Sequence, residues 1–272
     1  MTNVASWNDK AVVKKIALIA TNTILNRDHS SNLSNVQMVI NGIHQYLKDH
    51  KIESNIKNIE HGQQYIFNDF EIPEFLGDVD ILLDGSFSVL ASEDKLTQTV
   101  KSDLFIDYAG KTEEYYQGTY TIKTMKEPIA LITTSKELVH SSNSLDEKDV
   151  KHTFKKTIYN LQNAGSLSGE PGDRKEWLAT SGILEYTDPL IGQFKVGFNN
   201  IEQPFQMNTH YPVNGEIKIV DVGEPSNFIV VSTLSMHNQF KLKAYANHQL
   251  IIDESYDWDE YFNVKINTFH SL

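Results

Sequence analysis

Val79–Ala91, VDILLDGSFSVLA, carries the clearest pattern in the chain. Val79, Ile81, Leu83, Gly85, Phe87, Val89 and Ala91 fall on one side of an extended backbone, and Asp80, Asp84, Ser86 and Ser88 fall mostly on the other. Successive side chains of a strand point to opposite faces, so this period of two marks a long strand with one buried face. Residues 92–95 (SEDK) supply turn chemistry, after which Leu96, Val100, Leu104, Ile106 and Tyr108 alternate with Thr97, Thr99, Lys101, Asp103 and Asp107. A four-residue connection cannot cross over, so the return strand is antiparallel. Residues 109–112 make a second turn, and Tyr116, Tyr120 and Ile122 continue the alternation, giving a three-stranded meander.

Upstream, residues 15–20 (KIALIA) form a continuous apolar run, as expected of a strand buried on both faces. Ser34 and Gln37 make a capping box, and Val36, Val39, Ile40, Ile43, Tyr46 and Leu47 recur at helical spacing, predicting a helix to about Asp49. Residues 52–60 read as a weaker strand, and Pro73 breaks any helix over 66–76. Downstream, residues 128–132 (PIALI) are a short apolar run and 136–146 are polar. From Asp149, the positions of Val150, Phe154, Ile158 and Leu161 predict a second helix with Lys151, Lys155 and Lys156 outside.

Three glycines and a proline in residues 165–172 (GSLSGEPG) mark a boundary. The expected division is an α/β module over 1–164, a linker over 165–175 and a β-rich domain over 176–272. Beyond the boundary, residues 177–186, 194–198, 216–222, 228–234, 240–245 and 262–268 are short strand-like segments separated by turn signals. The expected fold class is therefore α+β: an N-terminal α/β sandwich, with a mixed sheet, a long hairpin or meander and two helices, followed by a C-terminal all-β sandwich or small barrel.

The 272 residues suffice for a core without staples, and the chain has no cysteine, which removes disulfides, thiol nucleophiles and thiolate metal sites. Its 36 acidic and 24 basic residues give a formal charge of -12, which disfavours nucleic acid and anionic membrane as partners. No apolar run reaches the length of a membrane span, and the first fifteen residues lack a secretory pattern.

Asp84-x-Ser86-x-Ser88 resembles a metal-binding loop in composition, but a continuing strand would space its oxygens along one face and prevent chelation. The ten histidines form no H-x-x-x-H or H-x-H pair, although His210, His237 and His248 could converge in the β-rich part. Ser135-Lys136 and the serines at 141, 142 and 144 have no base at a recognisable spacing. No catalytic residue, metal ligand or cofactor is therefore assigned. Residues 253–260 (DESYDWDE) read as a solvated acidic loop presenting Tyr256 and Trp258, the two residues assigned to partner contact, because exposed Trp and Tyr concentrate at protein interfaces.

The first part resembles the α/β module of the TolB N-terminal domain and of CsgG. The likeness lies in the phrase at 77–86 (GDVDILLDGS), the turn at 107–111 (DYAGK), the strand at 113–120 and the helix expected from Asp149, and it spans roughly residues 14–164. Two features depart from that family: there is no lipidation cysteine, and the second part is neither a propeller nor a pair of pore-forming hairpins. The resemblance implies a non-enzymatic assembly or docking module of the bacterial envelope, periplasmic or envelope-associated, with a protein partner or a second copy of itself. The envelope is the expected location, and the cytoplasm stays open because the chain shows no signal peptide. Two alternatives stay open: a hydrolase-type enzyme with its site at the domain junction, and a β-sandwich that binds a small ligand or carbohydrate.

Overall fold

The computed structural model describes residues 3–25, 33–75, 79–126, 129–145, 151–168, 175–207, 212–234, 238–258 and 261. Among these, two helices precede fifteen strands. The helices are α1 (Lys10–Leu25) and α2 (Leu33–Asp49). The first group of strands is β1 (Ile56–Ile59), β2 (Gly62–Phe75), β3 (Val79–Ala91), β4 (Thr97–Tyr108), β5 (Thr112–Lys126), β6 (Ile129–Leu145) and β7 (Lys151–Ser168). The second is β8 (Lys175–Asp188), β9 (Gly192–Asn200), β10 (Phe205–Met207), β11 (Pro212–Asn214), β12 (Glu216–Asp221), β13 (Phe228–Leu234), β14 (Gln239–Ala246) and β15 (Gln249–Asp257). They form one sheet in the order β1 to β9, then β12 to β15, with the short β10 and β11 appended to β8. The named strands pair antiparallel throughout, and a single parallel bridge joins Val4 to Gln193.

This corrects the expected α+β class: the protein is essentially all-β, one continuous meander with two helices packed on it. Three local readings change with it. Residues 15–20 lie in α1. A short apolar run does not distinguish a buried strand from a buried helix, and length decides. Here the apolar positions extend from Val13 to Leu25 over a helix that is buried along most of its length. Asp9 starts it by accepting the Ala11 amide at 2.8 Å.

The helix expected from Asp149 is β7. Phe154 and Ile158 are four apart, a spacing that puts them on one face of a helix and equally on one face of a strand. The deciding position lies between them. Lys156, read as solvent-facing, is 2 % exposed and shares the inner face. A bulge between Tyr159 and Gln162, where Asn160 takes φ 50°, then returns Leu161 to that face. The polar residues at 136–145 likewise continue β6. Of the expected linker, residues 165–168 belong to β7, with Gly165 registered against both Leu131 and Leu178. Residues 169–174 lie outside the described residues.

The expected meander is present, and β3 has the bounds anticipated from its alternation. The helix with the capping box is α2. Strands of thirteen to eighteen residues must bend to follow a compact core, and a line of irregularities crosses them. Register shifts occur at Phe67/Phe70 in β2, Gly118/Tyr120 in β5 and Tyr159/Gln162 in β7. Gly85 in β3 takes φ +100° and Gly118 takes φ +136°, conformations closed to L side chains. Pro73, which cannot donate to a ladder, sits at a second shift in β2 between Ile72 and Phe75.

The inner face carries two apolar cores. α2 packs Val39, Ile40, Ile43 and Leu47 against β2 to β5, around Tyr65, Phe87, Leu104 and Tyr116. α1 packs Val13, Ile16, Leu18 and Ile24 against β7 to β10 and β12 to β15, around Leu184, Phe198, Ile219 and Phe240. Leu138 of β6 touches both. Among the described residues no helix is long and apolar enough to cross a membrane.

Candidate functional site

A concavity lies where the two halves of the sheet meet, mainly on the outer face, with Glu114, Ser142 and Phe154 also in its lining. Hydrogen-bonded register aligns Phe105, Tyr115, Ser141, Lys155 and Thr187 in one row across β4 to β8. Their chain neighbours Leu104, Tyr116, His140, Lys156 and Tyr186 are inward and mostly buried, so the pleat turns the row outward. The row floors a groove of about 830 Å³, with Glu113 and Lys151 at its strand-end rim.

The Tyr115 hydroxyl donates to Asp103 at 2.6 Å. Partial burial, together with that carboxylate, pushes its phenol up to about 12. At the rim, Asn143 donates to Glu113 at 3.0 Å and Thr153 donates to Asn143 at 2.9 Å. The groove thus combines aromatic surface, hydroxyl and amide groups, and charges of both signs. Such a lining can hold a polar chain and bury aromatic area against it.

Directly beneath, the inner face carries a polar seam between the cores. Tyr116, His140, Lys156 and Tyr186 occupy one register row. His140 is 5 % exposed, stacks on Tyr116 with centroids 4.6 Å apart and 3° between planes, and meets the edge of Phe154. Neither of its ring nitrogens makes a hydrogen bond, and Nε2 lies 3.8 Å from Glu114 Oε1. The other Glu114 oxygen accepts from the Tyr116 hydroxyl and, at 3.5 Å, from Tyr108. Burial, reinforced by Glu114, raises the Tyr108 phenol well above its ordinary value. A carboxylate held by two phenols next to an imidazole is chemically suited to exchanging a proton.

The two residues assigned to partner contact lie elsewhere. Trp258 is fully buried and stacks on Phe240 at 4.1 Å, so the exposure expected of it is not found. Tyr256 is half-buried, donates to Glu254 at 2.5 Å and lies 5.5 Å from Phe240. With Tyr261 they close the core around α1. The acidic segment is strand β15 through Asp257, and residues 259–260 lie outside the described residues.

Asp84, Ser86 and Ser88 follow one another along β3, with Asp84 Oδ1 accepting the Gly85 amide at 3.0 Å. Ser135 donates to the Thr119 carbonyl at 2.6 Å and so satisfies backbone freed beside the β5 bulge. His248 sits in the turn between β14 and β15, while His210 and His237 lie outside the described residues.

The groove residues were missed by the sequence reading because it tracked the buried alternation. The available signal was Tyr115, an aromatic at a polar-face position of β5. The fold defines an all-antiparallel β-meander with two packed helices. Comparison with protein-family models, curated proteins and solved structures finds no match.

Proposed function

We propose that this protein is an assembly or docking module that seats a protein partner in the central groove. The supporting observation is the row Phe105–Tyr115–Ser141–Lys155 on the outer face, where an aromatic floor is flanked by Glu113 and Lys151. Aromatic area bordered by charges of both signs suits a polypeptide surface better than a phosphate backbone, given the net charge of -12. Residence in the bacterial envelope belongs to the same proposal, on the likeness of residues 77–86 and 107–111, and fractionation of the native host tests it.

A photo-crosslinking residue placed at Ser141 should capture one protein species in the native host, whereas the same residue at Lys57 on β1 should not. Lys155→Glu should weaken that capture at least tenfold, roughly the effect of reversing an interface charge. Equal labelling from both positions, or labelling indifferent to Lys155→Glu, overturns the proposal.

A second reading, a hydrolase-type site at the junction of the two halves, is favoured by Glu114 Oε1 lying 3.8 Å from His140 Nε2. It requires ester or amide turnover that Glu114→Gln abolishes while the chain stays folded.

A further inference from the structure

The central groove has two electrically different ends. At one end, β4 and β5 set the Phe105–Tyr115 pair among three carboxylates. Glu113 lines the groove and is registered against Asp107, while Asp103 and Asp107 stand two residues to either side of Phe105 on the same strand face. Each uses one oxygen within the protein: Asp103 accepts from the Tyr115 hydroxyl at 2.6 Å, Asp107 from the Gly110 amide at 2.7 Å, and Glu113 from Asn143 at 3.0 Å. Among the described residues none of the three pairs with a lysine or arginine. At the other end β7 presents Lys151 and Lys155, both exposed and in no ion pair among the described residues.

Between these ends lie neutral side chains, Ser141, Asn143 and Thr153. The other two carboxylates of the lining are engaged already. Asp188 is buried and accepts the Leu190 and Ile191 amides at 2.7 and 2.8 Å, and Glu114 accepts from Tyr116 and Tyr108.

The spacing of the two ends selects a backbone conformation. Neighbouring strands lie about 4.8 Å apart, so the two steps from Tyr115 on β5 through Ser141 to Lys155 on β7 cover about 10 Å. In a β-strand, side chains three residues apart point to opposite sides. A polyproline II helix has three residues per turn and rises about 3.1 Å per residue, so its positions i and i+3 share one side about 9 Å apart. That helix makes no internal hydrogen bonds, and its free carbonyls suit the Ser141 hydroxyl at the middle of the row. A guanidinium is the cation that stacks on aromatic rings while donating to carboxylates, which is what the Phe105–Tyr115 end offers.

We propose that the segment seated in this groove is a polyproline II stretch carrying an arginine and a carboxylate three residues apart. The guanidinium lies over Phe105 and Tyr115 beside Glu113, and the carboxylate meets Lys155. This assignment rests on the docking reading and names the chemistry of its partner.

Titration of the 15N-labelled full chain with the peptide acetyl-GPRPPEPG-amide should shift the amide signals of Tyr115, Ser141 and Lys155 saturably. The peptides GPEPPEPG and GPRPPRPG each put a like charge at one end and should bind about tenfold more weakly. Lys155→Glu should reverse the second comparison, so that GPRPPRPG binds the variant more tightly than GPRPPEPG does; the same spectra report that the variant is folded. Absence of shifts at the three amides, equal affinity for the three peptides, or an unchanged preference in Lys155→Glu would each overturn the assignment. If Ser141 still crosslinks to one protein while the peptides fail, docking in the groove stands and the polyproline chemistry is refuted. Peptide binding without any crosslinked protein supports the groove's chemistry and counts against its use in the native host.

Discussion

Replacing Gly85 with alanine tests the bending of the sheet at a single atom. Gly85 lies mid-strand in β3, registered against Phe67 on one side and Leu104 on the other. Its φ of +100° is outside the regions open to L residues, and a Cβ built there would stand 2.2 Å from the Asp103 carbonyl oxygen. Holding alanine at such a φ costs about 1–3 kcal/mol. The contact is with backbone of a central strand, so relief requires moving β4 against β5, and strain of that kind costs about 1–3 kcal/mol more. The expected loss is about 4 kcal/mol, which at a urea dependence of about 2.5 kcal/mol/M lowers the denaturation midpoint by ~1.5 M. Gly165→Ala is the control, because that position has no positive φ and no atom within 4 Å of the new Cβ. It should change stability by less than about 0.5 kcal/mol. If Gly85→Ala unfolds within 0.3 M urea of wild type, β3 does not carry the left-handed residue that bends it, and the argument fails.

Trp258→Ala should cost about 3–5 kcal/mol, since the indole is fully buried against Phe240, whereas a surface contact residue would leave urea stability unchanged. Glu254 is held below its ordinary carboxyl range first by the hydrogen bond from Lys14 at 2.8 Å, then by that from Tyr256. A depressed folded value contributes stability above the unfolded value, near 4.3, and loses it as pH falls through the folded value. The difference between wild type and Glu254→Gln should accordingly be present at pH 7, vanish at about pH 2 and shrink in 1 M salt. With side-chain exposures of 32 % and 44 % the pair is screened, so its worth at pH 7 is under about 1 kcal/mol.

The central meander was legible because Val79–Ile122 alternates polar and apolar residues, and the sheet is one-sided there. Legibility fails where the inner face stops being apolar. Lys156, His140 and Ser142 are buried polar residues at positions where a strand reading demands hydrophobes, so β6 read as a loop and β7 as a helix. It fails again at β15, the last strand in the sheet order, where Asp253, Glu254 and Asp257 accompany a single buried residue, Ile252. Charge is what an edge strand needs to resist pairing with another chain, and it gives the segment the composition of a loop. The apolar run in α1 failed for a different reason: a helix buried on most sides has no polar stripe to reveal its period. Tyr115 at a polar-face position was the one local mark of the groove; the rest was hidden because cross-strand register is what brings Tyr115 and Lys155 into one row.

The polar seam and the groove are built on the same three strands and share Glu114, which lines the groove and also meets His140, and this ties stability to docking. β5, β6 and β7 complete the ladder for both cores, and Leu138 touches both. Had the seam been apolar, the two cores would merge into one layer, and the outer row would be set only by the pleat. With His140 and Lys156 buried and Glu114 partly buried between them, each core ends at side chains that need polar partners and fixed geometry. That requirement restricts the register of β5 to β7, and the same register places Phe105, Tyr115, Ser141 and Lys155 side by side. Substitutions that empty the seam of polar groups can therefore leave the chain folded, yet slide or soften the strands that build the groove.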